Sequence, residues 1–223
     1  MLSTNVRCAG VGDSIRTLLV TGVGSAGGKT TTAANLAVAL AQAGLTVTVV
    51  DADLRRPRQH RLFGLDAQDG LTRSLVEGGM DGRLQPSQVE RLSILPAGER
   101  APNPPGLLGS QRLRDILDDL TKKADVVIVD SPPVLPVTDA AILAQAVDGV
   151  LLVIDAGETA QDAARQAAES LEQVGAQLIG VVLNKVSTRR GGYYNHQEYY
   201  KNGREKQKRR ARRRAKGALA PEQ

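Results

Sequence analysis

The chain has 223 residues, of which 41% are hydrophobic and 24% charged, so it is long and apolar enough to bury a core of its own. Its net charge of +5 comes from residues 201–223, which hold ten Lys and Arg, whereas residues 1–200 are slightly acidic; this pattern disfavours a basic body built for specific nucleic-acid binding. The single cysteine, Cys8, excludes an internal disulfide, and no apolar run reaches the roughly 18 residues of a membrane span, so we expect a cytoplasmic protein.

Short apolar segments alternate with longer helical patterns through most of the chain. In chain order, the predicted elements are strand Thr17–Thr21, helix Lys29–Ala43, strand Thr46–Val50, strand Leu92–Leu95, helix Leu107–Leu120, strand Asp125–Val129, strand Val150–Ile154, helix Ala160–Val174 and strand Leu178–Leu183. Near-continuous apolar strands separated by helices are typical of a mostly parallel sheet that is covered on both faces. The sequence therefore predicts one doubly wound α/β domain at residues 14–187, preceded by a short extension at residues 1–13.

A glycine-rich stretch connects the first predicted strand to the first helix. It ends in Gly28-Lys29-Thr30, as does the phosphate loop G-x-x-x-x-G-K-[ST], although Val23 stands where that pattern begins with glycine. In such a loop, backbone N–H groups and the helix N-terminus bind phosphate oxygens, the lysine reaches the terminal phosphates, and the hydroxyl ligates Mg²⁺. The predicted nucleotide-binding residues of the loop are Gly24, Ser25, Ala26, Gly27, Gly28, Lys29, Thr30 and Thr31.

Carboxylates follow two other predicted strands. Asp51 and Asp53 come after the second strand, and Asp130 comes after the fourth. Because ligands of a parallel α/β sheet bind beyond the carboxyl ends of the strands, these aspartates and Lys29 should converge on one rim. A nucleotide with its Mg²⁺ needs carboxylates there, directly or through water. The sequence thus predicts a site for ATP and Mg²⁺.

The end of the chain has a composition of its own. All the tyrosines of the protein lie in residues 188–200, after a Gly-Gly pair: Tyr193, Tyr194, Tyr199 and Tyr200. Like charges in residues 201–223 repel one another, so we expect a disordered basic tail. That tail would bind an anionic membrane surface, or act only as a solubilising segment.

Three stretches together resemble one known family. The stretches are GVGSAGGKTTTAANLA at the phosphate loop, VVDADLRRPRQH from the end of the second strand, and DVVIVDSPPVLPVTDA from the fourth strand onward. They are similar to motifs of the bacterial tyrosine kinases of capsule and exopolysaccharide synthesis. The resemblance covers roughly residues 14–200. It implies a P-loop NTPase of the ParA/MinD-like branch that phosphorylates tyrosine and regulates capsular or exopolysaccharide synthesis and export.

The resemblance also implies a division of labour within the predicted site. Lys29 and Thr30 would serve the phosphates and Mg²⁺, whereas Asp53 and Asp130 would hold the metal directly or through water. Asp51 would accept the proton of the tyrosine hydroxyl. This assignment agrees with the chemistry, because phosphoryl transfer is mostly positioning plus charge neutralisation.

Further positions have two interpretations each. Arg55 and Arg56 would stabilise charge on the transferred group, or form a solvated basic turn. Asn184 would contact the adenine, or cap its own loop. Asp139 is expected to be a helix N-cap. The resemblance implies that the four clustered tyrosines are phosphoacceptors, and the hinge at Gly191-Gly192 is expected to let them reach the site of a second copy.

Partners follow from the same resemblance. The chain looks like the split form of the family, in which a separate membrane co-polymerase, a Wzz-like chain-length determinant, activates the kinase and recruits it to the inner face of the plasma membrane. Relatives usually carry, before the first strand, a helix with a Glu and two spaced arginines that assembles a ring. Residues 1–16 lack that pattern, so ring formation by this route is not expected.

Two other functions are possible on sequence grounds. A partitioning or positioning ATPase switch of the ParA/MinD kind would carry a second lysine where this chain has Gly24, and would lack the tyrosine cluster. A non-catalytic nucleotide-binding regulator of polysaccharide synthesis would explain Val23 and the missing helix. The intact Lys29 and the three aspartates argue against that regulator.

Overall fold

The computed structural model describes residues 2–12, 14–80 and 82–187. The tyrosine cluster and the predicted basic tail lie outside these ranges. The chain divides into two units, Met1–Lys185 and Val186–Gln223, and every element reported below belongs to the first. Within the described ranges, none of the helices combines the length and the hydropathy of a membrane span.

A seven-stranded sheet forms the centre of the first unit. Its strands are β1 Thr17–Gly22, β2 Val47–Asp51, β3 Gln85–Pro86, β4 Leu92–Leu95, β5 Val126–Asp130, β6 Gly149–Asp155 and β7 Leu178–Asn184. They lie in the order β3-β4-β2-β5-β1-β6-β7, and only β3 runs antiparallel to its neighbour. Because β1, β2 and β5 are buried along their whole length, the prediction of a covered, mostly parallel sheet is confirmed.

Helices cover both faces of this sheet. In the described part of the chain they are α1 Leu2–Cys8, α2 Lys29–Gln42, α3 Gln59–Phe63, α4 Leu71–Glu77, α5 Pro104–Leu108, α6 Gln111–Thr121, α7 Asp139–Ala144 and α8 Gln161–Gln173. Successive strand residues serve opposite faces: Leu18 packs in the apolar cluster that contains α2, whereas Leu19 packs in the cluster that contains α6 and α8. This alternation gives the sheet two separate apolar layers.

One predicted helix is wrong in extent. The pattern over Leu107–Leu120 indicated a single helix, but the structure has α5 and α6, separated at Gly109 and Ser110. Glycine is a poor helix former, and the Ser110 hydroxyl donates a hydrogen bond of 2.7 Å to the carbonyl of Leu107. The helix is therefore interrupted at these two residues. The prediction missed the break because the spacing of apolar residues does not show local hydrogen bonds that compete with the helix.

The N-terminal residues form an element that the sequence did not predict. Helix α1 buries Val6, which is 3% exposed, in the same apolar cluster as Val11, Ile15 and Leu36 of α2. With seven residues the helix is too short for a clear period, so only its packing partner makes it recognisable.

Candidate functional site

The glycine-rich stretch forms a loop between β1 and α2. Gly28 precedes α2 with a left-handed φ of 89°, and a Cβ there would collide with the side-chain amide of Asn184. Within the described residues, no side chain caps the N-terminus of α2, so its first N–H groups are free for a ligand. A helix N-terminus behind a left-handed turn is a site for phosphate oxygens.

The departure of this loop from the phosphate-loop pattern has a structural reason. Val23 is buried in the core and is 5% exposed, so this position does not face a ligand. Glycine is needed one residue earlier, because a Cβ on Gly22 would approach the carbonyl oxygen of Val153 to 3.0 Å. The residues that follow the turn, Gly28 and Lys29, keep their expected order at the start of α2.

Asp51 and Asp130 are adjacent at the ends of two neighbouring strands. They are paired in register in β2 and β5, and both side chains are fully buried. One oxygen of Asp51, Oδ2, accepts hydrogen bonds from the N–H groups of Arg58 at 3.0 Å and Gln59 at 2.9 Å. Oδ2 of Asp130 accepts a hydrogen bond of 2.9 Å from the side-chain amide of Gln59. Among the described residues, Oδ1 of each aspartate has no partner.

The electrostatics of this pair are unfavourable to two negative charges. Burial raises the pKa of Asp51 to about 8, and the neighbouring Asp130 acts in the same direction. Burial also raises the pKa of Asp130 to about 7, against the opposing effects of the side chains of Gln59 and Thr30 and of the Lys29 charge. The two free oxygens would therefore be stabilised by a cation.

Hard oxygen donors fit Mg²⁺, but the described residues contain no group of three acidic, histidine or cysteine side chains that would hold a metal alone. Mg²⁺ usually binds through one or two carboxylates, waters and the phosphates of a nucleotide. Thr30, Asp53 and Asp130 are the residues of this chain that could contribute to such a set. The donor chemistry therefore suits a metal that arrives with a nucleotide.

A cavity of about 530 Å³ opens beside the phosphate loop. Asp53 is its acidic lining residue and is held by a hydrogen bond of 3.0 Å from the N–H group of Arg56 to Oδ1. The other lining residues are Ser25, Ala26, Gly28, Lys29, Thr30, Thr31, Arg55, Arg56, Arg58, Leu62, Pro132, Pro133, Pro136 and Val137. Most of the predicted loop residues, Asp53 and both candidate arginines thus share one cavity, whereas Gly24, Gly27, Asp51, Asp130 and Asn184 are not part of its lining.

Arg55 is held on the wall of this cavity by a buried acid. Its guanidinium donates two hydrogen bonds, of 2.7 and 2.9 Å, to the carboxylate of Asp139, which is fully buried. The expectation that Asp139 is a helix N-cap is wrong: Thr138 holds the cap position, and Asp139 is the first residue of α7. A buried carboxylate needs a charged partner, and here Arg55 supplies it from a distant part of the chain.

Asn184, the last residue of β7, contacts the phosphate loop. Its side-chain amide donates a hydrogen bond of 3.0 Å to the carbonyl of Gly27. The next residue, Lys185, forms an ion pair of 2.6 Å with Asp155 at the end of β6. These contacts fix the end of β7 against the glycine turn, and adenine contact by Asn184 stays a prediction.

Gln59 is the site residue that sequence reasoning missed. It is fully buried, and it contacts Asp51, Asp130 and the carbonyl of Thr30. It lies within the quoted stretch VVDADLRRPRQH, but a glutamine that follows three arginines and a proline resembles a surface position, so nothing in the sequence singles it out. Only the fold, which brings α3 beneath the phosphate loop helix, identifies its role.

Comparison with known proteins agrees with this geometry. The ParA family model, described as the NUBPL iron-transfer P-loop NTPase, matches residues 15–218. The match confirms the predicted P-loop NTPase fold, and this fold indicates nucleotide binding.

Individual relatives are more specific. Tyrosine-protein kinase YwqD of Bacillus subtilis (strain 168) is 38% identical over 184 residues, covering 82% of this chain and 78% of the relative. The putative tyrosine-protein kinase CapB of Staphylococcus aureus is 33% identical over 194 residues, covering 86% of this chain and 85% of the relative. The solved kinase domain of the Escherichia coli tyrosine kinase ETK is 32% identical with a TM-score of 0.81, covering 87% of this chain and 77% of that domain.

Proposed function

The chain belongs to the family of bacterial tyrosine kinases, and on that premise we propose that it transfers the γ-phosphate of ATP to its own C-terminal tyrosines. The observation that carries the proposal is the pair of buried strand-end aspartates, Asp51 and Asp130, with the charge of Lys29 acting on Asp130. Each buried aspartate there has one carboxylate oxygen without a partner among the described residues, next to an uncapped helix N-terminus. This arrangement suits a nucleotide that carries its own cation.

In this proposal, the phosphate loop holds the nucleotide, and Lys29 neutralises the terminal phosphates. Thr30, Asp53 and Asp130 would hold Mg²⁺ directly or through water, and the bound Mg²⁺ would neutralise charge on the phosphate oxygens. The bond from the γ-phosphorus to the bridging oxygen breaks, ADP leaves, and the tyrosine oxygen takes the phosphoryl group. Oδ1 of Asp51, which the N–H groups of Arg58 and Gln59 leave without a partner among the described residues, would accept the hydroxyl proton once the bound cation has lowered the pKa of this carboxylate from about 8.

The cavity also suits the acceptor. Its lining includes aliphatic and proline side chains that would pack against a tyrosine ring: Leu62, Pro132, Pro133, Pro136 and Val137. Arg56 and Arg58 are exposed and have no ion pair within the described residues, so they are free to stabilise charge on the transferred group or on a phosphorylated product. We expect the tyrosines of residues 193–200 to reach this cavity in a second copy of the chain.

The remaining parts of the proposal concern the cell. The motifs quoted above support a role in capsular or exopolysaccharide synthesis, with a membrane co-polymerase as activator. Such a partner would recruit the kinase to the inner face of the plasma membrane. Residues 201–223 would add electrostatic attraction, since each Lys or Arg near an anionic surface contributes about 1 kcal/mol.

The proposal is tested by incubation with γ-labelled ATP and Mg²⁺. We expect label on tyrosine, lost in Lys29→Met and in the variant with all four tyrosines changed to Phe, and absent in EDTA. If transfer occurs in trans, mixing the two variants restores label. The variant with four Phe supplies the active site, and the Lys29→Met protein supplies the tyrosines that receive the label. Release of inorganic phosphate without tyrosine label would instead identify an ATPase switch.

A further inference from the structure

Gln59 connects three parts of the candidate site. It is the first residue of α3, and its backbone N–H donates a hydrogen bond of 2.9 Å to Oδ2 of Asp51. Its side-chain amide donates to Oδ2 of Asp130 at 2.9 Å and to the carbonyl of Thr30 at 3.2 Å. One fully buried residue thus binds both strand-end carboxylates and the first turn of α2.

Packing alone does not account for this residue. A buried amide costs free energy unless its polar atoms have partners, and Oε1 of Gln59 has none among the described residues. Leu or Met would fill the same space without that cost. The two N–H bonds of the amide instead point to two acceptors on different elements, so the geometry selects a donor group here.

The bond to Asp130 determines which oxygen of that carboxylate is free. The side-chain nitrogen of Gln59 donates its hydrogen bond to Oδ2 of Asp130. Oδ1 of Asp130 is left without a partner among the described residues. Rotation of the carboxylate would break this hydrogen bond in a site with no water-exposed surface at Asp130. Gln59 therefore holds the side chain in one orientation.

We propose that Gln59 is a positioning residue for the metal–nucleotide complex: it orients Asp130 toward Mg²⁺ and ties that carboxylate to Thr30 and Asp51. The inference rests on the proposed function, because it assigns a task to Gln59 only if Asp130 serves a nucleotide-bound cation. Residues that orient metal-binding side chains in this way typically change metal affinity by about 10–100-fold when they are replaced.

The test compares nucleotide binding with and without Mg²⁺. Gln59→Met keeps the volume and removes the amide, and Gln68→Met is the matched control at an exposed position. Affinity for a fluorescent ADP is measured in excess Mg²⁺, in EDTA, and across a Mg²⁺ titration. For Gln59→Met we expect the half-saturating Mg²⁺ concentration to rise by about 10–100-fold, with little change in EDTA; the control should match the wild type.

Several outcomes separate the inference from its premise. If Gln59→Met responds to Mg²⁺ as the wild type does, the inference is wrong while the proposed function survives. If Mg²⁺ does not strengthen binding to the wild type, the proposed function fails, and the inference fails with it. Should Gln59→Met not fold, Gln59→Asn keeps a buried amide that is too short to reach Asp130, and it must show the same loss of Mg²⁺ dependence. An equal loss of affinity in Mg²⁺ and in EDTA would mean that Gln59 has only a structural role.

Discussion

At the residue scale, the free protein carries an electrostatic conflict at Asp51 and Asp130. Two carboxylates lie side by side at strand ends, fully buried, and each keeps an oxygen without a partner in the described part of the chain. Buried carboxylates that form no ion pair cost free energy of folding, and these two form none within the described residues. The pair therefore destabilises the nucleotide-free protein at the place where a cation-bearing ligand would bind, and such a loss of stability at a functional site is common.

This conflict predicts how the stability of the nucleotide-free protein depends on pH. The pKa of Asp51 rises from its ordinary 3.8 to about 8, so the folded protein keeps a proton that the unfolded chain has lost. Between these values the free energy of unfolding falls as pH rises. In EDTA, the midpoint of thermal unfolding should fall from pH 6 to pH 8, and Asp51→Asn should flatten this slope and stabilise the protein by about 1–3 kcal/mol at pH 8.

A surface substitution provides the control for that experiment. Asp118 is exposed on α6, and Asp118→Asn should leave both the midpoint and its pH slope as in the wild type. Calorimetry or circular dichroism melts measure all three proteins. A steeper decline in Asp51→Asn than in the wild type would contradict the assignment of the conflict to this pair.

At the scale of elements, the start of α2 depends on a glycine. Gly28 has a left-handed φ of 89°, and an added Cβ would collide with the amide of Asn184. Gly28→Ala should cost about 1–3 kcal/mol of stability through backbone strain and reduce nucleotide affinity by at least about tenfold through the displaced loop. Chemical denaturation and nucleotide titration measure the two effects.

Gly44, which follows the C-terminal end of α2, is a control position that distinguishes backbone strain from steric collision. Its φ is 96°, but an added Cβ would meet nothing within 4 Å. Gly44→Ala should therefore cost about 1 kcal/mol and leave nucleotide affinity unchanged. The double variant Gly28→Ala with Asn184→Ala removes the colliding amide and should regain part of the lost stability; no recovery would show that collision contributes nothing.

Elements also show what the sequence could predict. Strands such as β4 were located residue by residue, because apolar residues between turn signals suffice when both faces are covered. The short helices α1, α3 and α4 have at most seven residues, too few to show a period, and were missed. Lys29 and the strand-end aspartates were found by their motifs, whereas Gln59 and the Arg55–Asp139 pair depend on contacts between distant segments that one sequence does not display.

At the scale of the whole molecule, charge is separated along the chain. Residues 201–223 carry ten Lys and Arg against two Glu, and the four tyrosines lie immediately before them. A phosphotyrosine carries about −1.5 to −2 charges at neutral pH, so four would add roughly −6 to −8, close to the positive charge of the tail. Autophosphorylation would therefore nearly cancel the charge that an anionic surface attracts.

This cancellation predicts a membrane affinity that depends on phosphorylation. The unphosphorylated protein should sediment with vesicles rich in phosphatidylserine, more weakly as salt rises, and not with neutral phosphatidylcholine vesicles. After incubation with ATP and Mg²⁺ the bound fraction should fall, whereas the variant with Phe at all four tyrosine positions should stay bound, since it keeps its full charge. Equal binding before and after phosphorylation would refute the coupling, and no binding by either form would show that the basic segment only solubilises the chain. A fall in binding that follows the amount of phosphotyrosine would instead mean that the enzyme weakens its own membrane attachment as it acts.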